Sequence, residues 1–264
     1  MRYLIFVLML CWNQAMAFTS DEEFDMLESA VEEAVSVGDN LKANFLRQAI
    51  QDRIDWLIEH PETKYVIVNV NAQELHTIDN GQSVIHEKVI VGREGMETPI
   101  FENAIQSIVF NPVWNIPPDL ADGMLPKMQE VGGWNGYNIY VDGTLVDDIN
   151  QVSVGSDYRI IQDPSETNAL GKIKFYLPNK YGVYIHDTSN RELFKEDDRR
   201  FSAGCIRMEH ASKLAAYLLS SDVEAIDTIT EERTSMEIPL SVPVPVHIVR
   251  WSVWFDIEGN LRYL

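Results

Sequence analysis

The hydrophobic period changes at Lys64, and that change limits what the chain can fold into more than any other feature. Before it, apolar residues recur three and four apart: Phe24, Leu27, Val31, Ala34 and Val35, then Leu41, Phe45, Leu46, Ile50, Ile54, Leu57 and Ile58. That spacing aligns them on one helix face, with Gly38-Asp39-Asn40 as the break between two helices. Ser20 with Glu23 reads as a capping box, Pro61 ends the second helix, and His60 beside it reads as a solvated helix end. From Lys64 the pattern is extended. Tyr65–Val70, Glu74–Ile78, Ser83–Val91 and Ile105–Phe110 are short β-branched runs, the second and third joined by an Asp79-Asn80-Gly81-Gln82 turn. The expected fold is therefore mainly β, a sandwich or barrel-like domain at 64–264 behind a short N-terminal helical segment at 18–63.

Residues 111–157 interrupt the strand rhythm with Asn111-Pro112-Val113-Trp114-Asn115-Ile116-Pro117-Pro118, a short helix over Asp119–Glu130 and an aromatic loop, Gly132-Gly133-Trp134-Asn135-Gly136-Tyr137. An insertion of this length in a β domain reads as a lid. Its Trp114 and Trp134 are candidates to contact a saccharide or peptide, or else they pack the lid itself. Strands resume at Tyr158–Gln162, Gly171–Tyr176 and Gly182–His186, and a helix is expected over Ala211–Ser220. In the closing Val242–Val249 stretch Pro243 and Pro245 demote the first part to an edge strand, and Trp251–Leu264 reads as a hairpin.

Residues 1–17, MRYLIFVLMLCWNQAMA, have a basic start, a short apolar core and an Ala15-Met16-Ala17 cleavage site, the pattern of a secretory signal peptide. The apolar run is too short to span a bilayer, so an exported, periplasmic protein without a membrane anchor is expected. Of the two cysteines, Cys11 leaves with the signal, and Cys205 becomes a lone thiol in an oxidising compartment. A formal charge of −20 argues against nucleic acid and anionic lipid as partners. His76 and His86 have no acidic or cysteine partner at ligand spacing and read as surface or packing residues, so no metal and no cofactor is expected.

Cys205 sits in the small-residue turn Ser202-Ala203-Gly204-Cys205, followed by Ile206 and Arg207. A thiol attacks as thiolate, so it needs a base, and an imidazole can take the proton and hold an imidazolium beside the sulfur. His186 ends a strand and precedes Asp187, whose carbonyl or carboxylate could hold the other ring nitrogen. His210, on the start of the following helix and facing away, is the weaker candidate. Gly204 permits a tight turn and offers an amide N–H to an oxyanion, as does Cys205. Tyr184 shares a strand face with His186. Arg207 either orients the turn or meets a substrate carboxylate, and Ser202 braces the turn. These residues alone point to acyl transfer through a thioester.

The His186…Ser202-Ala203-Gly204-Cys205-Ile206-Arg207 constellation resembles the signature of L,D-transpeptidases of the YkuD type. NPVWNIPP at 111–118, NALGKIKF at 168–175, HDT at 186–188, Phe194 with Arg199-Arg200, and FSAGCIR at 201–207 are similar to the landmarks of its YcbB-like branch. The resemblance covers about 64–264. It implies a YkuD-type catalytic domain in which Cys205 is the nucleophile and His186 the general base and acid. Its donor would be a peptidoglycan tetrapeptide stem that loses D-alanine. Its acceptor would be a diaminopimelate amine, giving a 3–3 cross-link, or a free D-amino acid. Many relatives carry a histidine where this chain has Ala203, and the helices at 19–60 are too small to stand in for the wall-binding module of longer relatives. The alternatives are an L,D-carboxypeptidase or other cysteine hydrolase on the same scaffold, and a catalytically silent wall-binding module.

Overall fold

A computed structural model describes residues 21–264. The signal-peptide reading at 1–17 and the Ser20 cap lie outside the described residues. Two helices come first, α1 (Asp21–Ser36) and α2 (Asn40–Glu59). The Asp39 carboxylate accepts the Lys42 N–H at 3.0 Å and so starts α2.

Strands β1 (Lys64–Asn69), β2 (Glu74–Asp79), β3 (Gln82–Gly92) and β4 (Glu102–Phe110) follow. After an insertion come β9 (Ile173–Tyr176), β10 (Ile185–His186), β11 (Arg200–Ser202) and β12 (Ile206–Met208). Helices α4 (Ala211–Leu218) and α5 (Val223–Glu231) then lead to the long β13 (Met236–Val249). Among the described residues these strands make a nine-stranded mixed sheet, β11-β3-β12-β10-β9-β4-β13-β1-β2, and an additional β2–β3 pairing closes it into a barrel. Closure is possible because β3 is long: its first half pairs with β2 and its second with β12 and β11.

Period-two alternation decides what faces inward. Ile173 and Phe175, Ile185, and Ile206 and Met208 point into the barrel core with Leu214 of α4, which leaves Lys174, His186 and Arg207 on the outer face. β1 is buried on both faces. Val66 and Val68 enter the barrel core, while Tyr65 and Ile67 pack against Trp254 and, on α2, Trp56 and Leu57. The helical pair is completed by the hairpin β14 (Val253–Phe255) and β15 (Leu261–Tyr263), whose Val253 and Phe255 pack against Leu27, Leu46 and Ile50. His60 is not a solvated end, because α2 finishes against the barrel wall and stacks that ring on Trp56 at 4.3 Å. His76 and His86 do pack, with ring centroids 3.5 Å apart, but Glu74 is an acidic partner that sequence spacing did not expose.

In β13 the pairing with β1 begins at Val246, so its proline-bearing stretch has β4 as its sheet neighbour and leaves the proline nitrogens on an open side. The insertion carries β5 (Trp114–Asn115), α3 (Pro118–Glu130), β6 (Tyr137–Val141), β7 (Thr144–Leu145) and β8 (Tyr158–Gln162). β8, expected to resume the main sheet, instead pairs with β5 and β6 in a separate four-stranded sheet. Ile116, Leu125, Ile139 and Ile160 give that sheet its own core. Fully buried Asn168 ties the two roots of the insertion together. Its amide donates to the Pro112 carbonyl at 3.1 Å and the Asp163 carbonyl at 3.0 Å. No helix among the described residues is long and apolar enough to cross a membrane.

Candidate active site

Parallel pairing of β10 with β12 brings the candidate nucleophile and base together. Ile185 pairs with Ile206 and His186 with Arg207, and the Ile206 N–H donates to the Tyr184 carbonyl at 3.0 Å. Cys205 therefore lies beside Tyr184 at the start of the pairing, one pleat from His186 and on the same outer face. β9 adds Lys174, paired with His186 on the other side. The result is an outer-face row of Lys174, His186 and Arg207 with Cys205 and Tyr184 one step along it. Lys174 Nζ sits 3.9 Å over the Tyr184 ring, and the Tyr184 and His186 rings meet edge to face at 6.0 Å.

The Cys205 turn is held by hydroxyls. Buried Ser202 donates from Oγ to the Cys205 carbonyl at 2.6 Å and accepts the Gly204 N–H at 3.0 Å. Buried Thr98 donates to the Gly204 carbonyl at 2.8 Å and accepts the Gly92 N–H at 2.9 Å. Gly204 adopts φ +111°, a backbone state open to glycine. The Gly204 N–H was expected to face an oxyanion, but Ser202 takes it. The Cys205 N–H has no partner among the described residues and is the better donor for developing negative charge.

His186 is buried, and its Nδ1–H donates to the Asp187 carbonyl. A carbonyl only accepts, so the proton is on Nδ1 and the lone pair on Nε2, the tautomer a base needs. The Asp187 carboxylate does other work: it accepts the Arg191 guanidinium at 2.6 Å and the Lys172 N–H at 2.8 Å. Burial, more than these donors can offset, raises its pKa. Gly171, at φ +62°, lets Asp187 approach this closely, since a Cβ there would lie 2.4 Å from the Asp187 Oδ2.

Burial, then the Arg207 charge, pushes His186 down to about 3, although the Asp187 and Leu170 carbonyls oppose this. Burial raises the Cys205 thiol above its ordinary value, against the Tyr184 N–H, Lys174 and Arg207. Burial also pushes the Tyr184 phenol up to about 12. The resting pair is thus neutral thiol and neutral imidazole, not the thiolate–imidazolium pair that sequence reasoning anticipated. The same burial makes the fold acid-sensitive. Between pH 6.5 and about 3 the unfolded chain binds a proton that folded His186 does not. His186 therefore contributes nothing above pH 6.5, and below it stability falls by up to about 1.4 kcal/mol per pH unit. Urea midpoints at pH 7 and pH 5 are expected to show a smaller acid loss in His186→Gln than in the wild type. An equal loss in both would mean that the ring titrates normally.

The other candidates separate clearly. Arg207 is half-buried and makes no ion pair among the described residues, and neither does Lys174. Lys174 escaped sequence reasoning because its place beside the thiol depends on which strands pair, although its position between Ile173 and Phe175 already marked the outer face. His210 is tied to Glu87 at 2.6 Å. Trp114 and Trp134 pack against the core of the insertion, Trp134 edge to face with Tyr137 at 5.5 Å.

The family model of the YkuD L,D-transpeptidase catalytic domain matches residues 63–246. A Haemophilus influenzae protein provisionally named L,D-transpeptidase is 29% identical over 208 residues, which cover 74% of this chain and 42% of that protein. The chain thus spans less than half the length of this curated relative. Among solved structures, the catalytic domain of an Enterococcus faecium L,D-transpeptidase acylated by ertapenem aligns at 14% identity and a TM-score of 0.37, covering 72% of this chain and 99% of that one. An L,D-transpeptidase from Mycobacterium smegmatis aligns at 12% identity and a TM-score of 0.35, covering 71% of this chain and 58% of that one.

Proposed function

The chain belongs to the YkuD family of L,D-transpeptidase catalytic domains, and from that premise we propose that it transfers acyl groups between peptidoglycan stem peptides through a thioester on Cys205. The observation that carries this reading is the half-buried Cys205 thiol on the same sheet face as His186, whose tautomer is fixed by the Asp187 carbonyl.

As Sγ attacks the carbonyl of the third stem residue, His186 Nε2 takes the thiol proton. The Cys205 N–H stabilises the oxyanion of the tetrahedral intermediate. On its collapse the bond to D-alanine breaks, and the imidazolium returns its proton to the leaving amine. A diaminopimelate side-chain amine then attacks the thioester, gives its proton to His186 and forms a 3–3 cross-link, after which Sγ recovers the proton. A free D-amino acid in the acceptor role gives an exchanged stem. Because both resting groups are neutral, no buried charge pair has to be maintained between turnovers.

Electrostatics support a carboxylate-bearing substrate. The chain carries −20 overall, yet the cations Lys174 and Arg207 flank the thiol and act on both reacting groups. Arg207 and Lys174 are assigned to stem carboxylates, Tyr184 to lining the site, and Ser202 and Gly204 to shaping the turn. Action on stem peptides implies export to the periplasm, with residues 1–17 as leader.

The test is mass spectrometry of the purified protein with disaccharide-tetrapeptide and, separately, a carbapenem. Loss of D-alanine with an adduct on Cys205 and 3–3 dimers is the expected result. Tripeptide without dimers moves the assignment to an L,D-carboxypeptidase. A folded protein with a free thiol and neither adduct nor turnover overturns the proposal in favour of a binding role.

A further inference from the structure

On the barrel wall, the end of α2 meets β4 and β13 at a second cluster of ionisable groups. His60, Glu102 and His247 each bring a potential ligand atom, and these atoms lie within 4.8 Å of one another. The topology assembles them: His60 caps α2, and His247 pairs with Glu102 across β13 and β4. His60 Nδ1 donates to the Trp56 carbonyl at 2.7 Å, which aims Nε2 at Glu102 Oε1, 2.8 Å away. His247 Nδ1 lies 3.8 Å from the same oxygen. The two imidazoles stand nearly perpendicular, with centroids 4.7 Å apart.

Several buried polar atoms around this point have no hydrogen-bond partner among the described residues. They are both ring nitrogens of His247, which is 3% exposed, together with Glu62 Oε2 and the Tyr65 hydroxyl. Glu62 and Glu102 act electrostatically on both imidazoles, and the Tyr65 ring is 5.5 Å from that of His247. Buried polar groups without partners are uncommon because each costs about 1–3 kcal/mol. At His247 they lie beside a carboxylate and a second imidazole, all within ligand distance of one another.

We propose that His60, Glu102 and His247 form a divalent metal site, with zinc as the best-fitting metal. Two imidazoles with a carboxylate oxygen are a donor set that zinc accepts readily once it displaces the proton that His60 shares with Glu102. The Trp56 carbonyl on His60 Nδ1 is the outer hydrogen bond that metal-binding histidines usually have. The ion neutralises Glu102 and gives His247 a partner. It also clamps the end of α2 onto β4 and β13, so its role is to fix the helical pair to the barrel.

Two other groupings are less suited. The Glu74 Oε2 that contacts His86 also accepts the Trp254 indole N–H at 2.8 Å, a donor that cannot yield to a metal as an imidazole proton can. Glu87 is neutralised by His210 and by Lys213, each at 2.6 Å, and the Lys213 ammonium would repel a cation.

The test strips the purified protein with a chelator, then adds Zn2+ or Co2+ alone and counts the metal retained after desalting. The wild type is expected to keep one equivalent of zinc, to show the visible bands of four-coordinate Co2+, and to melt at higher temperature with zinc. Glu102→Gln, chosen because this carboxylate is exposed, and His60→Gln are expected to weaken zinc binding by about tenfold or more and to lose the thermal shift. Circular dichroism confirms that each variant is folded. Cys205→Ala is expected to bind zinc as the wild type does. The proposal is overturned if the wild type retains no zinc, if both variants bind it unchanged, or if Cys205→Ala abolishes binding, which would place the ion at the thiol.

Discussion

Cys205→Ala is expected to abolish every covalent adduct and all turnover, whereas His186→Ala retains a slow acylation, reduced by about 10²–10⁴-fold. The difference follows from the neutral resting pair. Alanine at 205 leaves no atom able to form the thioester. Alanine at 186 leaves the thiol, but only its small thiolate fraction can attack, because burial raises its pKa. The pH profile separates general-base catalysis from a standing ion pair. With His186 pushed down to about 3, acylation of the wild type by a carbapenem should stay level from pH 8 to pH 5. An ordinary imidazole would have lost half its base form by about pH 6.5. In His186→Ala the rate should climb about tenfold per pH unit over the same range as thiolate forms. A wild-type acid limb near pH 6.5, or near-normal acylation by His186→Ala at pH 7, would sink this mechanism.

Gly171→Ala is expected to cost about 2–4 kcal/mol of stability and to slow acylation as well. The added Cβ would sit 2.4 Å from Asp187 Oδ2 and 2.6 Å from its Cβ, at φ +62°. Asp187 must move, and its carbonyl is what holds the His186 ring. Gly182→Ala is the control, because φ there is +65° but nothing lies within 4 Å. It carries the conformational cost alone, about 1–2 kcal/mol. Urea denaturation with acylation kinetics on both variants decides the matter. If the two behave alike, the close Gly171–Asp187 packing does not position His186.

Much of this was legible from residue order, because the informative signals were local. The change of period at Lys64 separates the helices from the strands. Alternation in Ile173-Lys174-Phe175 and Ile206-Arg207-Met208 marks which side chains leave the core. What was not legible depends on pairing between distant segments. Nothing local says that Tyr158–Gln162 pairs with β6 rather than with the barrel, or that Lys174 neighbours His186. The Gly204 N–H is a different case: the contact is local, but residue order does not say that the Ser202 hydroxyl folds forward within its own turn to take it. Whether the Asp187 carbonyl or carboxylate holds His186 was open in sequence terms, and the Arg191 and Lys172 contacts occupy the carboxylate. His60 and His247 are far apart in sequence, so their meeting at Glu102 had no local signal at all.

The roots of the insertion meet at Asn168, and its sheet pairs only within itself among the described residues. The barrel's strand ladder therefore closes without it. Such a cassette can be lengthened, trimmed or exchanged between lineages while the thiol, its base and their hydrogen bonds stay unchanged. Its length and sequence are then free to vary without altering the strand pairing that aligns His186 with Arg207.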